Sequence, residues 1–390
     1  MSDKLQKDKP VGGRDFRTLV LLAAITALAV IVLLRVLGTS PDTESASTDY
    51  RTPGDATSAV LSEPLLLRAE FEPQEALILG GTQLIDILPR TIVDIVAALR
   101  NSVRIQILVN SPQDRLAVSD LLRDNDIPAD AVSFLEVPVR SMWVRDFGPI
   151  AVQDSTGGMV LVDFHYRERR GNALDNTVPA NIAGVLDLPV REFPLMIEGG
   201  DFIGNGRGLC ISSMRVIERN TYYNAYSPEK IGQMLSSALG FEQWIPLEHL
   251  EGETTGHLDM FLTMVAPDVV VVGECDPAVD PYNAELLDLI ASNFEMIPTR
   301  VGELSVVRMP MPPHDDGVWR TYTNVVFAND VLLVPAYPSV CPDLDTRARD
   351  IYAELLPGWN VVGIDCEGLI AMNGALRCIT MNLPRVARMD

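Results

Sequence analysis

Basic side chains are scarce in this chain. Its 390 residues carry 31 lysines and arginines against 53 aspartates and glutamates, a formal net charge of −22 at pH 7. The first sixty residues hold seven of each sign, so the whole excess belongs to the residues after them. Such a surface repels polyphosphates and anionic lipid, which speaks against nucleic acid as a partner, and it suits a cationic substrate, although acidity that merely keeps a protein soluble explains it as well. Metal-ligand spacings are missing too. No group of His and Cys stands at zinc spacing, and His314 to Gly317 (HDDG) lacks the spacing and terminal glutamate of a calcium loop. The Gly204 to Gly208 run (GNGRG) follows no strand-to-helix fingerprint of the dinucleotide type. No metal and no cofactor is expected. Cysteine is sparse and odd in number: Cys210, Cys275, Cys341, Cys366 and Cys378 leave at least one thiol without an intramolecular partner.

One long apolar run is present. Thr18 to Leu34 carries no charge, and its seventeen residues sit at the short end of a bilayer span, with Arg35 placed to snorkel outward. Lys4, Lys7, Lys9, Arg14 and Arg17 precede it and Asp42, Glu44 and Asp49 come after it, an asymmetry that keeps the N-terminus in the cytoplasm. A cleaved signal peptide competes, since small residues stand near Ala46; no cysteine directly follows the run, which excludes a lipoprotein anchor. The expected organisation is a cytoplasmic basic segment (1–17), a transmembrane signal-anchor helix (18–37), a flexible Ser, Thr, Pro, Asp and Gly-rich linker (38–62) and a folded domain (63–390). The protein is then single-pass, touching the bilayer through its N-terminal helix, with the domain on the periplasmic or extracellular side. Oligomeric state is not legible.

In the domain, short apolar runs alternate with amphipathic stretches. EALILGG, RIQILVN and AVSFLEVP read as strands, and Ile92, Ile95, Val96 and Leu99 mark a helix at i, i+3, i+4, i+7. IAVQDSTGGMVLVDFHY is a hairpin turning at Thr156-Gly157-Gly158. A helix from Pro179 to Leu186 precedes EFPLMIEGGDFI and GLCISS, both read as strands, and Pro228 opens a helix stopped by Gly240. HLDMFLTMV and DVVVVGE, a helix from about Tyr282 to Asn293, and LSVVRMP repeat the order; YTNVVFANDVLLVPAY, a helix through Leu344 to Leu355, and NVVGID repeat it again. Strand pairs, a helix and a returning strand thus recur at roughly sixty-residue intervals. A radial arrangement of such α/β units encloses a central cavity; a two-layer open sheet fits the same periodicity.

Four segments put reactive side chains near strand ends: SMWVRDFGPI, IEGGDF, TTGHLDMF and GALRCIT. On a strand, His257 and Asp259 at i, i+2 share one face. Arg145 and Asp146 sit between aromatics and a Gly-Pro turn, where a buried ion pair is the plain alternative. The glycines after Glu198 signal a turn or a close backbone approach. For Cys378, packing starts ahead, since free cysteine is among the most buried residue types. It loses ground because other segments supply a histidine and carboxylates.

In this order and spacing, WVRDFGP, IEGGDF, GHLDM, RTYTN (Arg320 to Asn324), LPGWNVVGIDC and GALRCIT resemble the bacterial peptidylarginine deiminase and agmatine deiminase family, within the wider guanidine-modifying enzymes, over nearly all of residues 65 to 385. The resemblance implies a fivefold pseudosymmetric α/β propeller of ββαβ modules around a central site, here preceded by the N-terminal transmembrane helix. It implies Cys378 as nucleophile, His257 as general acid and base, Asp146 and Asp259 as the carboxylates gripping a guanidinium, Glu198 as an acidic assistant near the histidine, and Trp143 and Arg320 among the substrate-binding residues. Family members commonly place a histidine directly before the cysteine, where this chain has Arg377.

The chemistry fits those residue types. A guanidinium is a permanently charged planar fork that two carboxylates can hold by parallel hydrogen bonds. Held there, its central carbon faces the sulfur, which must attack as thiolate although a free cysteine has a pKa of ~8.5. Ammonia leaves protonated by His257, and water activated by the same imidazole hydrolyses the covalent thiouronium. Arg377, taken as the strand neighbour of Cys378, is expected to point to the opposite face. The expected reaction is conversion of peptidyl or protein arginine to citrulline. Agmatine conversion to N-carbamoylputrescine is the alternative, and a catalytically impaired guanidinium-binding propeller is the third.

Overall fold

The computed structural model describes residues 64–166 and 173–386. Five sheets share one plan: an antiparallel strand pair, a helical crossover, and a third strand returning parallel to the second. The first runs Ile150–Gln153, Met159–His165, helix Val178–Leu186 and Val190–Met196, with Leu66–Leu67 added at its edge. The second runs Phe202–Gly204, Leu209–Ser213, helices Arg215–Asn224 and Pro228–Leu239, and Gln243–Leu247. The third runs Leu262–Ala266, Val269–Glu274, helix Pro281–Phe294 and Ser305–Pro310. The fourth runs Val326–Ala328, Val331–Ala336, helix Pro342–Leu355 and Asn360–Asp365. Both ends of the domain build the fifth: Thr380–Pro384 pairs antiparallel with Gln74–Gly80, which leads through helix Pro89–Leu99 to Arg104–Val109, and a further helix, Pro112–Asp124, leads to Val132–Glu136.

The sequence reasons are local. The second strand of the fourth unit, Val331–Ala336, is covered on both faces and reads as a continuous apolar run in which every residue is buried. Pro stands in the first turn of the helices beginning at Pro89, Pro112, Pro228, Pro281 and Pro342, where its missing N–H costs nothing. Ser111, Ser227 and Asp280 cap three of these by accepting a backbone N–H. Gly240, at φ +70, ends the Pro228 helix as its pattern foretells.

The departures cluster where the units meet. Val144–Phe147, within WVRDFGP, is a four-residue helix rather than a strand end. EFPLMIEGGDFI is broken by a one-turn 3₁₀ helix at Gly199–Asp201, HLDMFLTMV becomes a strand only at Leu262 after a 3₁₀ turn at Leu258–Met260, and GALRCIT turns through Arg377–Ile379 before its strand begins. The apolar pattern there reports burial, not a hydrogen-bonded ladder, because the chain is leaving one sheet to enter the next. Helix Arg215–Asn224 has no apolar periodicity to announce it: only Val216 and Asn220 are buried in it, and Tyr222 is 79% exposed. Among the described residues no helix is long and apolar enough to cross a membrane; the Thr18 to Leu34 run and the linker to residue 62 lie outside them.

Candidate active site

These irregular turns carry the chemistry. Helix Val144–Phe147 packs against the Arg377–Ile379 and Gly199–Asp201 turns, and the latter packs on Leu258–Met260. Glycine permits the approach. A Cβ on Gly199 would lie 2.4 Å from the Arg145 carbonyl oxygen, one on Gly200 would lie 2.4 Å from Nδ1 of His257, and one on Gly374 would lie 2.4 Å from the Trp143 ring.

His257 is 3% exposed, and its Nε2 lies 2.8 Å from Oε2 of Glu198. Burial alone would lower the imidazole pKa, but the Glu198 hydrogen bond and the charges of Asp146, Asp201 and Glu198 prevail and raise it to about 10. The imidazole is therefore cationic at neutral pH and donates to Glu198. Glu198, Asp201 and His257 each bring a ligand atom within 4.8 Å of the others, a spacing that suits a cation. Arg219 already supplies one, donating to Glu198 at 3.1 Å and to Asp201 at 3.0 Å.

Cys378 is 4% exposed. Nδ2 of Asn324 donates to its sulfur at 3.4 Å, while Oδ1 of the same amide accepts from the Arg377 backbone N–H at 2.8 Å. Burial, then the charges of Asp259 and Asp146, push the thiol well above its ordinary value, outweighing the Ala375 backbone and the Asn324 amide. Alone, this cysteine is a thiol. Burial also raises Asp146 to about 7, with His257 opposing and Glu198, Asp259 and Asp201 adding to the rise. Oδ1 of Asp146 and Oδ1 of Asp259 are both buried without a hydrogen-bond partner among the described residues. Two buried acceptor oxygens near a thiol and an imidazolium leave an unmet demand for donors carrying positive charge.

Cys378, His257, Asp146, Asp259 and Glu198 thus come together, with Trp143 covering Gly374 beside them. Arg320 does not join them by any bond: both its terminal nitrogens bind Asp316, at 2.7 and 3.1 Å, in the neighbourhood of Tyr337 and Cys341. Arg377 corrects the strand-alternation argument, because on a 3₁₀ turn its guanidinium reaches Asp259 Oδ2 at 2.8 Å. The buried-ion-pair alternative holds for Arg145, though its partner is Glu70 at 2.7 Å and not Asp146. Burial would raise Glu70, but Arg145 and Arg377 outweigh it and hold the carboxylate at about 2. Sequence reasoning missed Glu70, Asp201, Arg219 and Asn324. Asp201 and Asn324 lie inside the IEGGDF and RTYTN motifs, whereas Glu70, in LLRAEFEP, carries no signal. The Glu70 cluster also borders a cavity lined by Phe71, Phe202, Phe327 and Asn382, which Cys378 and His257 do not line.

The fold is mixed α/β, and the family to which the chain belongs makes it a hydrolase of C–N bonds that acts on guanidino groups. The chain belongs to the Porphyromonas-type peptidyl-arginine deiminase family, whose family model matches residues 66–384. A Legionella pneumophila (strain Paris) protein provisionally named agmatine deiminase is 25% identical over 295 residues, covering 72% of this chain and 82% of the relative. One from Marinomonas sp. (strain MWYL1), named the same way, is 23% identical over 326 residues, covering 75% and 85%. In fold, the chain is similar to C. jejuni agmatine deiminase (TM-score 0.71, 21% identity, 84% of this chain and 98% of that one). It is equally similar to the agmatine deiminase of Enterococcus faecalis (0.72, 20%, 83% and 96%).

Proposed function

We propose that this protein is a cysteine-dependent deiminase that hydrolyses the terminal guanidinium of agmatine to N-carbamoylputrescine and ammonia, on five ββαβ modules disposed as a propeller around Cys378. The carrying observation is the pair of buried, unpartnered carboxylate oxygens on Asp146 and Asp259 facing a buried thiol and an imidazolium.

Entry of the guanidinium satisfies both oxygens and neutralises the charges that keep Cys378 protonated, so the substrate itself favours the thiolate. As the guanidinium enters, the Cys378 thiol releases its proton to solvent; the sulfur attacks the guanidino carbon, and the C–N π bond opens to a tetrahedral adduct. His257 gives its proton to the departing nitrogen and ammonia leaves. The neutral imidazole then takes a proton from water as that water adds to the thiouronium; collapse breaks the C–S bond, the adduct's hydroxyl proton passes to the departing Cys378 sulfur, and a neutral urea is left. Glu198 orients the imidazole throughout.

The arginines of the site bear on the substrate's other end. Arg145, Arg219 and Arg377 are each paired with carboxylates of the protein, so none of the three is left for a substrate carboxylate. That disfavours free arginine and leaves agmatine and peptidyl arginine, which both lack one. The names of the relatives favour agmatine. Peptidyl arginine is the second reading, favoured by the family description and by the charge-flanked run at Thr18 to Leu34, which would hold the domain outside the cell as a membrane-anchored enzyme.

Assays for ureido product on agmatine, benzoyl-arginine ethyl ester, a short arginine peptide and free arginine test the reading. Agmatine is expected to turn over fastest and free arginine least. Turnover of the peptide alone would replace agmatine with the second reading. Binding without turnover of any substrate would mark a guanidinium-binding protein. Cys378→Ser should abolish turnover while agmatine affinity, measured by calorimetry, stays within a few-fold; retained turnover would refute the nucleophile. Membrane fractionation of the full chain, with and without residues 18–37, checks the anchor.

A further inference from the structure

The residue before the thiol is an arginine with every guanidinium hydrogen in use. Nε donates to Oε2 of Glu70 at 3.1 Å and Nη2 to Oε1 of Glu70 at 3.1 Å, a side-on fork. Nη1 donates to Oδ2 of Asp259 at 2.8 Å and to the Gly199 carbonyl at 3.0 Å, and Nη2 also reaches the Phe202 carbonyl at 3.4 Å. A guanidinium has five N–H donors, and all are accounted for. Arg377 is 4% exposed and has no spare donor with which to reach a substrate. Its partner Glu70 is shared with Arg145, which donates to it at 2.7 Å and to Asn382 Oδ1 at 3.2 Å.

Asp259 is wholly buried, with Oδ2 on Arg377 and Oδ1 without a partner. A carboxylate tied at one oxygen to a rigid fork keeps its plane fixed, so the direction of the other oxygen is set before any ligand arrives. The charged or titratable groups around it are Arg377, Arg145 and Cys378 from the turn and helix packed on it, and Asp146 from that same helix. Positive charge there comes from the two arginines and, beside Asp146, from the His257 imidazolium. Without Arg377 the two carboxylates would share one buried place with a counter-charge fewer, so Asp146, already raised to about 7, would keep its proton to higher pH and grip a cation less well.

The geometry points to Arg377 as a positioning residue for the deimination: clamped by Glu70, it holds Asp259 by one oxygen, presents the other to the substrate guanidinium, and leaves that side of the site a one-oxygen grip. The inference rests on the deiminase reading of Asp146 and Asp259. The competing role, a resident guanidinium plugging the substrate's own place, is opposed by the saturation of Arg377 from the Glu70 side, and it predicts the opposite result.

Full-length wild type, Arg377→Gln, Arg377→Lys and Glu70→Gln are compared by steady-state kinetics on agmatine between pH 5 and 10. Arg377→Gln should raise KM about tenfold or more, the loss that comes with a misplaced charge-assisted hydrogen bond, with a smaller change in kcat. It should also shift the acidic limb of kcat/KM to higher pH. Arg377→Lys keeps the charge but cannot span both carboxylates, so the limb should return while KM stays high. Glu70→Gln should move KM in the same direction. A wild-type KM and limb in Arg377→Gln, or faster turnover, overturns the inference. If that variant does not fold, unchanged KM in both Arg377→Lys and Glu70→Gln overturns it as well. Wild type that neither binds nor turns over guanidino substrates sinks the deiminase reading first, before any substitution is compared.

Discussion

At the scale of single residues the site works by holding charges where water would not hold them. Asp146 is raised to about 7 and His257 to about 10, and the proposed reaction needs the first ionised and the second protonated. The kcat/KM profile of the free enzyme should therefore rise through about pH 7 and fall toward about pH 10, since the substrate guanidinium does not titrate in that range. Glu198→Gln removes the hydrogen bond that favours the imidazolium, so the alkaline limb should move to lower pH; an unmoved limb would detach His257 from that limb. The same shift bears on stability. With its folded pKa above the ordinary 6.5, His257 contributes stability in full below about 6.5, and that contribution disappears as pH rises through about 10. Urea midpoints across that window should fall in wild type and fall less in Glu198→Gln.

At the scale of elements the informative pieces are the shortest. Three one-turn 3₁₀ helices and one four-residue helix place the reactive groups, and their apolar flanks read in sequence as strands. Periodicity misleads there because a residue buried at a junction is apolar whether or not a ladder runs through it. The glycine pair did carry a signal, a close backbone approach, and the structure gives it an object. Gly200→Ala would drive a methyl group into the imidazole at 2.4 Å, and should cut turnover about a hundredfold, as a displacement near 1 Å does in oriented catalysis. Single-turnover assays measure it, and wild-type rates would contradict the packing. At Gly184, in the exposed part of helix Val178–Leu186, an added methyl group would meet nothing within 4 Å. Gly184→Ala should stabilise by about 0.5–1 kcal/mol in urea unfolding, with activity unchanged.

At the scale of the whole molecule the domain is closed by its ends. Thr380–Pro384, two residues after the thiol, pairs with Gln74–Gly80 more than three hundred positions earlier in the chain. Met381 and Leu383 on that strand are 1% and 2% exposed, and burying two such side chains contributes roughly 3–6 kcal/mol. Ending the chain after Ile379 keeps every proposed reacting group and should still abolish cooperative unfolding and activity together. A truncated chain with a wild-type urea transition would show that closure is dispensable.

The sequence by itself determined the units: apolar middle strands, Pro-started helices and the repeat of strand pair, helix and strand are local patterns, and local physics makes them. It also named Cys378, His257, Asp146, Asp259 and Glu198, because they stand in an ordered set of motifs that resembles a known family. Only the tertiary structure decided which charges meet. Glu70 bridging Arg145 and Arg377, Arg219 seated on Glu198 and Asp201, and Arg320 kept by Asp316 depend on turns converging from distant parts of the chain, and an ion pair leaves no periodic mark in sequence.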